Sequence, residues 1–194
     1  MTANSKTAIL QQAIPLFAEH GYDGVSMRDL ARRVKMSPAS LYHHFPDKKT
    51  LYLEMVALSF LAKAKAFDEV WQSLCPAMQK LKLFIRSLVN MMIDDQDFHR
   101  LMQRELLEAN EQRLQLLAEA VFKPQFVNVV KIFKEIAPSV DAHLCALSLL
   151  GLACKHIELQ ALSRFFPEWK PEYEQAEHLA QHIETLLLQG INVG

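Results

Sequence analysis

SMRDLARRVKMSPASLYHHFPDKKTL, residues 26–51, decides the fold. It reads as two short helices joined by a tight turn, with a third helix starting directly behind them. Ser26 can cap the first helix, with Asp29 three residues on as its capping-box partner. Leu30, Ala31 and Val34 make its apolar stripe, and Lys35 and Met36 turn the chain. Ser37 caps the second helix, and Pro38 takes its first position, where a missing N–H costs nothing. Pro46 ends that helix after about two turns. A helix this short does not stand alone, so neighbours must hold it while one face stays free. A short helix, a turn and a short presented helix follow the logic of a DNA-reading helix-turn-helix.

Within the second helix, Leu41 and Phe45 lie four apart and point into the core of the head. Ser37, Ala39, Ser40, Tyr42, His43 and His44 take the outward positions. Tyr42 and the hydroxyls can hydrogen-bond phosphate, whereas Ala39, Ser40 and His43 can approach base edges in a major groove. Lys48 and Lys49 follow Asp47 at a helix N-terminus, where an ammonium beside free N–H groups makes a phosphate clamp; Lys48 is the candidate. Met27 and Arg28 sit in the first turn of the preceding helix, and Arg28 is placed to meet phosphate or a base edge. Arg32 and Arg33 read as a solvated face.

The chain has 194 residues, 51% of them hydrophobic, with 5 Gly and 8 Pro, so it can bury a large core. Its formal charge of −1 hides an asymmetry. Residues 1–50 carry seven basic and four acidic side chains, a net +3, while residues 51–194 carry 14 basic and 18 acidic ones, a net −4. A basic head on an acidic body suits a protein that touches phosphates with one end. Cys75, Cys145 and Cys154 are odd in number and set in apolar sequence, which predicts buried thiols in a reducing compartment. The N-terminus lacks the apolar run of a signal peptide, and Leu144 to Cys154 is about half a membrane span. A cytoplasmic protein with no membrane partner is expected.

Outward from the opening stretch, almost everything reads as helix. The first is predicted from Ser5 to His20, stopped by Gly21 and loosened by Pro15; further helices cover 48–74, 76–92, 97–108 and 111–136, the last interrupted by Pro124. A strongly apolar helix starts at Ser139 or Asp141 and ends near Phe165, PEWKP (167–171) connects, and the last runs from Glu172 until Gly190 stops it. The expected fold is all-α, about nine helices: a three-helix N-terminal helix-turn-helix head (1–50) and a helical-bundle ligand and dimerisation domain (51–194).

The segment AIPLFAEHGYDGVSMRDLARRVKMSPASLYHHFPDKKTLYLEM, 13–55, resembles the TetR family of bacterial transcriptional regulators. FAEHGYDGVSMRDLA, the SPASLYHHF helix and the DKKTL helix start all fall at family spacing. Pro15 departs from the unbroken first helix usual there. The resemblance implies a homodimer that binds a palindromic double-stranded DNA operator, represses, and is released by a small-molecule effector in the body. It also implies that Tyr42 and His44 contact the DNA backbone, that Ala39, Ser40 and His43 lie nearest the bases, and that Lys48 meets a phosphate.

In the body, Phe60, Phe67, Trp71, Phe84, Met91, Met102 and Phe126 lie in aromatic and Met stripes. Singly each reads as core; as a group they can line an apolar pocket. His99, Arg104 and Glu105 are polar groups that could orient a ligand there or lie on the surface. Ala176, Leu179, Ile183, Leu186 and Gly190 recur at 3, 4, 3, 4, a seam for another helix. Leu147, Leu150 and Gly151, with Ala146 and Ala153, allow close approach on the helix before it. Two such helices from each of two chains would form a four-helix dimer interface. His178 and His182 have metal-ligand spacing but no third ligand nearby, so no metal and no cofactor is expected. No HExxH, P-loop, GxSxG, Glu-x-x-His or Asp-x-x-His occurs, which argues against an enzyme. The competing reading is a helix-turn-helix activator or scaffold that works through a protein partner without an effector.

Overall fold

Short polar side chains mark the helix starts of this chain, and the structure, a computed structural model, uses them. It describes residues 6–191, with only the backbone of Ala120, Val121 and Ile191. Ser5, the expected first helical residue, lies outside the described residues. Among the described residues every regular element is helical. The α-helices are α1 (Lys6–His20), α2 (Met27–Arg33), α3 (Pro38–His44), α4 (Lys48–Lys65), α5 (Asp68–Gln72), α6 (Ala77–Asp94), α7 (Gln96–Glu108), α8 (Glu111–Leu117), α9 (Lys123–Ile136), α10 (Ala142–Ser163) and α11 (Ala176–Ile191). A π turn, Ala118–Phe122, joins α8 to α9, and a 3-10 turn, Pro171–Glu174, precedes α11.

Four boundaries differ from the sequence reading, one of them the start of the last helix, which is Ala176 rather than Glu172 and follows a 3-10 turn. The helix expected over 48–74 divides at Ala66 and Phe67, giving α5. Pro124 does not break the helix over 111–136: it falls at the second residue of α9, directly after the π turn, whose wider spacing absorbs the missing N–H. Gly190 lies inside α11 rather than ending it. Pro15 also stays inside α1, where buried Ile9, Leu10, Ala13 and Phe17 outweigh one lost backbone hydrogen bond.

The described residues form two compact units. One holds residues 6–64 and 95–122, the other 65–94 and 123–191. The cut expected at residue 50 thus differs from the division by compactness. In the first unit α1 packs on α2 and α7, and α2 on α3. Phe17, Leu30, Leu41, Phe45, Leu51, Tyr52, Met55, Phe60 and Leu101 fill its core. In the second, α6 packs against α9, α10 and α11, around Leu81, Phe84, Ile85, Phe133, Leu149 and Ile183. By length and composition alone α10 is apolar enough to cross a membrane, longer than the Leu144–Cys154 stretch suggested; here its Ala146, Leu149, Ala153 and Ile157 stripe is buried within the second unit.

The caps of α2 and α3 form as their sequence predicts. The Asp29 N–H donates to the Ser26 hydroxyl at 3.2 Å, and the Ser26 N–H donates back to the Asp29 carboxylate at 3.0 Å. Hydrogen bonds from the Ser26 side chain and backbone, with Arg32 beside them, lower the Asp29 carboxyl from 3.8 to about 2. A depressed carboxylate stabilises the fold above its unfolded pKa and ceases to do so as pH falls through its folded one. The start of α2 should therefore loosen between pH 3.8 and about 2, which NMR titration of the Ser26 and Asp29 amides would read. Amide signals that stay unmoved across that window would refute the capping box.

Candidate nucleic-acid interface

The turn between α2 and α3 is built tightly. Lys35 takes a left-handed conformation, φ 55°, and the Met36 N–H returns to the Ala31 carbonyl at 2.9 Å. Such a reversal commonly ends a helix on glycine; a lysine pays a modest conformational penalty to sit there. The Ser40 N–H donates to the Ser37 hydroxyl at 3.1 Å, and Pro38 stands at the helix start. α3 is only seven residues long and is held by one side. Leu41 and Phe45 are fully buried, whereas Ser37, Ala39, Ser40 and His43 are exposed, Tyr42 is 50% exposed and His44 is half-buried. A row of small residues with an aromatic hydroxyl and two imidazoles thus faces away from the core. Arg28, Arg33, Lys35 and Lys49 are exposed on the same unit and supply positive charge. Arg32 pairs with Asp29.

Two of the candidate contacts change. Met27, in the first turn of α2, is 7% exposed, so its side chain belongs to the core rather than to the outward face. Lys48 is not a free clamp. Its ammonium donates to the carbonyls of Tyr22 at 2.9 Å and Val25 at 3.1 Å, and lies 4.2 Å from the Tyr22 ring centroid. Two of its three protons are used within the protein, which ties the loop after α1 to the start of α4. At most one proton is left for a phosphate. Charge at a helix N-terminus was visible in the sequence; two carbonyls more than twenty residues upstream were not.

The expected effector residues divide between the two units. Phe60 and Met102 are core side chains of the first; Phe60 packs on Phe98 at 4.7 Å and on Phe122 at 5.7 Å between ring centroids. His99 is half-buried there. Arg104 and Glu105 do not orient a ligand in this structure: Arg104 holds carbonyls of α1, and Glu105 is buried against Tyr52 and Arg113. In the second unit, Phe84 lies 4.9 Å from both Phe67 and Trp71, and the Trp71 indole N–H donates to the Gln125 side chain at 2.5 Å. Phe126 meets His143 edge-to-face with ring centroids 4.9 Å apart, and Met91 is half-buried.

The expected dimer seam is also redistributed. Leu179 and Ile183 are buried inside the second unit, Ala176 is half-buried, and Leu186 is 45% exposed. The inward stripe of α11 is Leu179, Ala180, Ile183 and Leu187, with Glu184 buried beside it and bonded to Arg86 at 3.2 Å. On α10, Leu147 is 48% exposed, Gly151 is exposed and Leu150 is half-buried, while Ala146 and Ala153 face inward. Both helices are apolar on more than one side, so spacing alone could not choose the buried one. A groove of about 740 Å³ between them is lined by Gly151, Leu159, Phe166 and Leu179, with His156, His178 and His182 among them. No cluster of three metal-ligating side chains occurs among the described residues. Cys75, Cys145 and Cys154 are free and half-buried rather than fully buried, and burial pushes the Cys154 thiol up to about 11.

Comparison with known proteins adds to this geometry. Residues 9–55 match the family described as bacterial regulatory proteins, tetR family, and residues 77–191 match the C-terminal domain of the HTH-type transcriptional dual regulator CecR. The biofilm operon icaADBC HTH-type negative transcriptional regulator IcaR of Staphylococcus aureus (strain Newman) is 46% identical over 55 residues, 28% of this chain and 30% of that protein. The chain therefore spans under a third of the length of the curated relatives it matches. Among solved structures, FadR from Bacillus subtilis in complex with stearoyl-CoA is similar with a TM-score of 0.78 at 17% identity, over 97% of this chain and 100% of that one. AibR in complex with isovaleryl coenzyme A and operator DNA is similar with a TM-score of 0.70 at 19% identity, over 93% and 96%. At such identities these two likenesses speak for the fold.

Proposed function

The chain belongs to the TetR family of bacterial regulatory proteins, and from that premise we propose that it is a repressor that binds a palindromic operator as a homodimer and is released by a small hydrophobic ligand. The observation that carries this reading is the outward face of α3, with Ala39, Ser40, Tyr42 and His43 bare and Leu41 and Phe45 anchoring the helix from behind. It is a DNA-binding transcriptional regulator and not an enzyme. Repression is supported by the description of IcaR as a negative regulator. A bacterial operator is met in the cytoplasm, which is where the protein works.

A seven-residue reading helix offers few contacts, so two copies, set roughly 34–36 Å apart for successive major grooves, are the natural solution. The surface for pairing is the outward side of α10 and α11: Leu147, Leu150, Gly151 and Leu186. A glutamate at Leu147 should leave a folded protomer that sediments as a monomer; an unchanged dimer would exclude this face. For the effector, the aromatic set of the second unit, Phe67, Trp71, Phe84, Met91 and Phe126, supplies an apolar lining. The acyl thioesters bound by FadR and AibR make acyl-coenzyme A compounds the first to test.

A second reading, an activator or scaffold acting through a protein partner, is favoured by one observation: residues 77–191 match a domain described for a dual regulator. One experiment separates the outcomes. Duplexes selected by the purified protein from random sequence give the operator, and transcription in vitro from a promoter carrying it reads the sign. A single palindrome, lowered transcription and release by an acyl-coenzyme A are expected. Raised transcription would favour the second reading, and selection of no sequence would remove both.

A further inference from the structure

The first unit contains a buried charge cluster that DNA contact does not use. Glu105 on α7 is 1% exposed. Its carboxylate accepts a hydrogen bond from the Tyr52 hydroxyl of α4 and one from Nε of Arg113 on α8 at 2.8 Å. The Arg113 guanidinium also pairs with Glu108 and lies 5.3 Å from the Tyr52 ring and 5.7 Å from the Tyr22 ring. Tyr22 in turn stands 5.0 Å from Tyr52 and carries the Lys48 ammonium on its face. One residue before Glu105, Arg104 reaches the other way. Its Nε donates to the Ala18 carbonyl at 3.0 Å and its Nη2 to the Glu19 carbonyl at 2.6 Å.

Those carbonyls belong to the last turn of α1, where no intrahelical donor remains for them. Gly21, at φ 72°, makes the grip possible: a Cβ there would stand 2.8 Å from Nη1 of Arg104. Successive residues of a helix point about 100° apart, so one turn of α7 can hold two separate elements. Through Arg104 it holds the end of α1; through Glu105 and Tyr52 it holds the side of α4. α4 begins only three residues beyond Phe45, so any tilt of α4 carries α3 with it.

We propose that Arg104 and Glu105 are positioning residues for DNA reading, which set the pose of α3 by holding the end of α1 and the flank of α4. The proposal rests on α3 being the reading helix. Apolar contacts among Phe17, Tyr22 and Tyr52 give the junction its stability, and the polar grip gives it a single geometry. Loosening the grip leaves the positive charge of the head in place. It therefore spares sequence-independent attraction to phosphate and weakens the aligned contacts to base edges.

The test uses the full chain with Arg104→Met and, separately, Tyr52→Phe, which removes one hydroxyl and keeps the ring stack. Affinity is measured for the duplex selected by the wild-type protein and for a random duplex, alongside melting by circular dichroism. Operator affinity should fall about tenfold in each variant while random-duplex affinity is unchanged, so the ratio of the two falls tenfold. Arg104→Lys should restore the ratio only in part, because an ammonium lacks the fork that meets two carbonyls at once. Two results overturn the positioning role alone: an unaltered ratio in both folded variants, or a loss that tracks thermal unfolding and vanishes on cooling. A wild-type protein that selects no duplex overturns the reading of α3 and this proposal with it.

Discussion

Alanine at both Tyr42 and His43 is expected to weaken operator binding by roughly a hundredfold, since it removes the Tyr42 hydrogen bond to phosphate, about 1.5–3 kcal/mol for a charged acceptor, and a His43 contact to a base edge, about 1–3 kcal/mol. Both side chains face outward, with Tyr42 50% exposed, and neither anchors α3. Leu41 and Phe45 do that from the opposite side, so the variant should fold and melt as the parent does. Neither substitution removes a lysine or an arginine, so the salt dependence of binding should keep its slope. Arg28→Ala is the informative contrast: it removes an exposed cation and should flatten the slope by about one. Fluorescence anisotropy across a salt series reads both. Parental affinity in a folded double variant would mean that α3 is not the reading helix.

The largest effect on stability is expected at Glu105. Alanine there leaves the Arg113 guanidinium without its buried carboxylate and the Tyr52 hydroxyl without its acceptor. Breaking a buried ion pair from one side costs about 3–5 kcal/mol, and because Arg113 keeps its more exposed partner Glu108 the loss should lie at the lower end. That is a large share of the roughly 5–15 kcal/mol that holds an ordinary domain together. The Tyr52 phenol shows the same electrostatics: burial, reinforced by the Glu105 carboxylate, raises it well above the ordinary tyrosine range. For Arg113, burial works against the charge, and the neighbouring carboxylates more than offset it. Urea unfolding should show a much lower midpoint for Glu105→Ala, partly recovered when Arg113→Met is added. A midpoint equal to that of the parent would show that the cluster contributes nothing net.

The head was legible because its determinants are local. Ser26, Asp29, Ser37 and Pro38 act within three residues of themselves, so the sequence alone places both short helices and the turn between them. Partners distant along the chain were not legible. Tyr52 and Glu105 are 53 positions apart, and Lys48 and Tyr22 are 26 apart; nothing local marks either pair. Glu105 therefore read as surface or as a ligand group, and Lys48 as a phosphate clamp. The helices α10 and α11 failed differently. Each offers apolar side chains to more than one side, so a periodicity that detects a stripe could not say which stripe turns inward. The π turn before Pro124 was hidden too, because a proline signals a break and not the local rewinding that avoids one.

Lys48 has a wider consequence. By stapling the turn ahead of α2 to the root of α4, it ties together the two ends of the segment that carries α2 and α3. In the proposed homodimer each head would then meet its half-site as one fixed shape. One extra base pair between half-sites rotates the far groove by roughly 35°, so for the proposed homodimer spacer length is expected to be part of the address that is recognised.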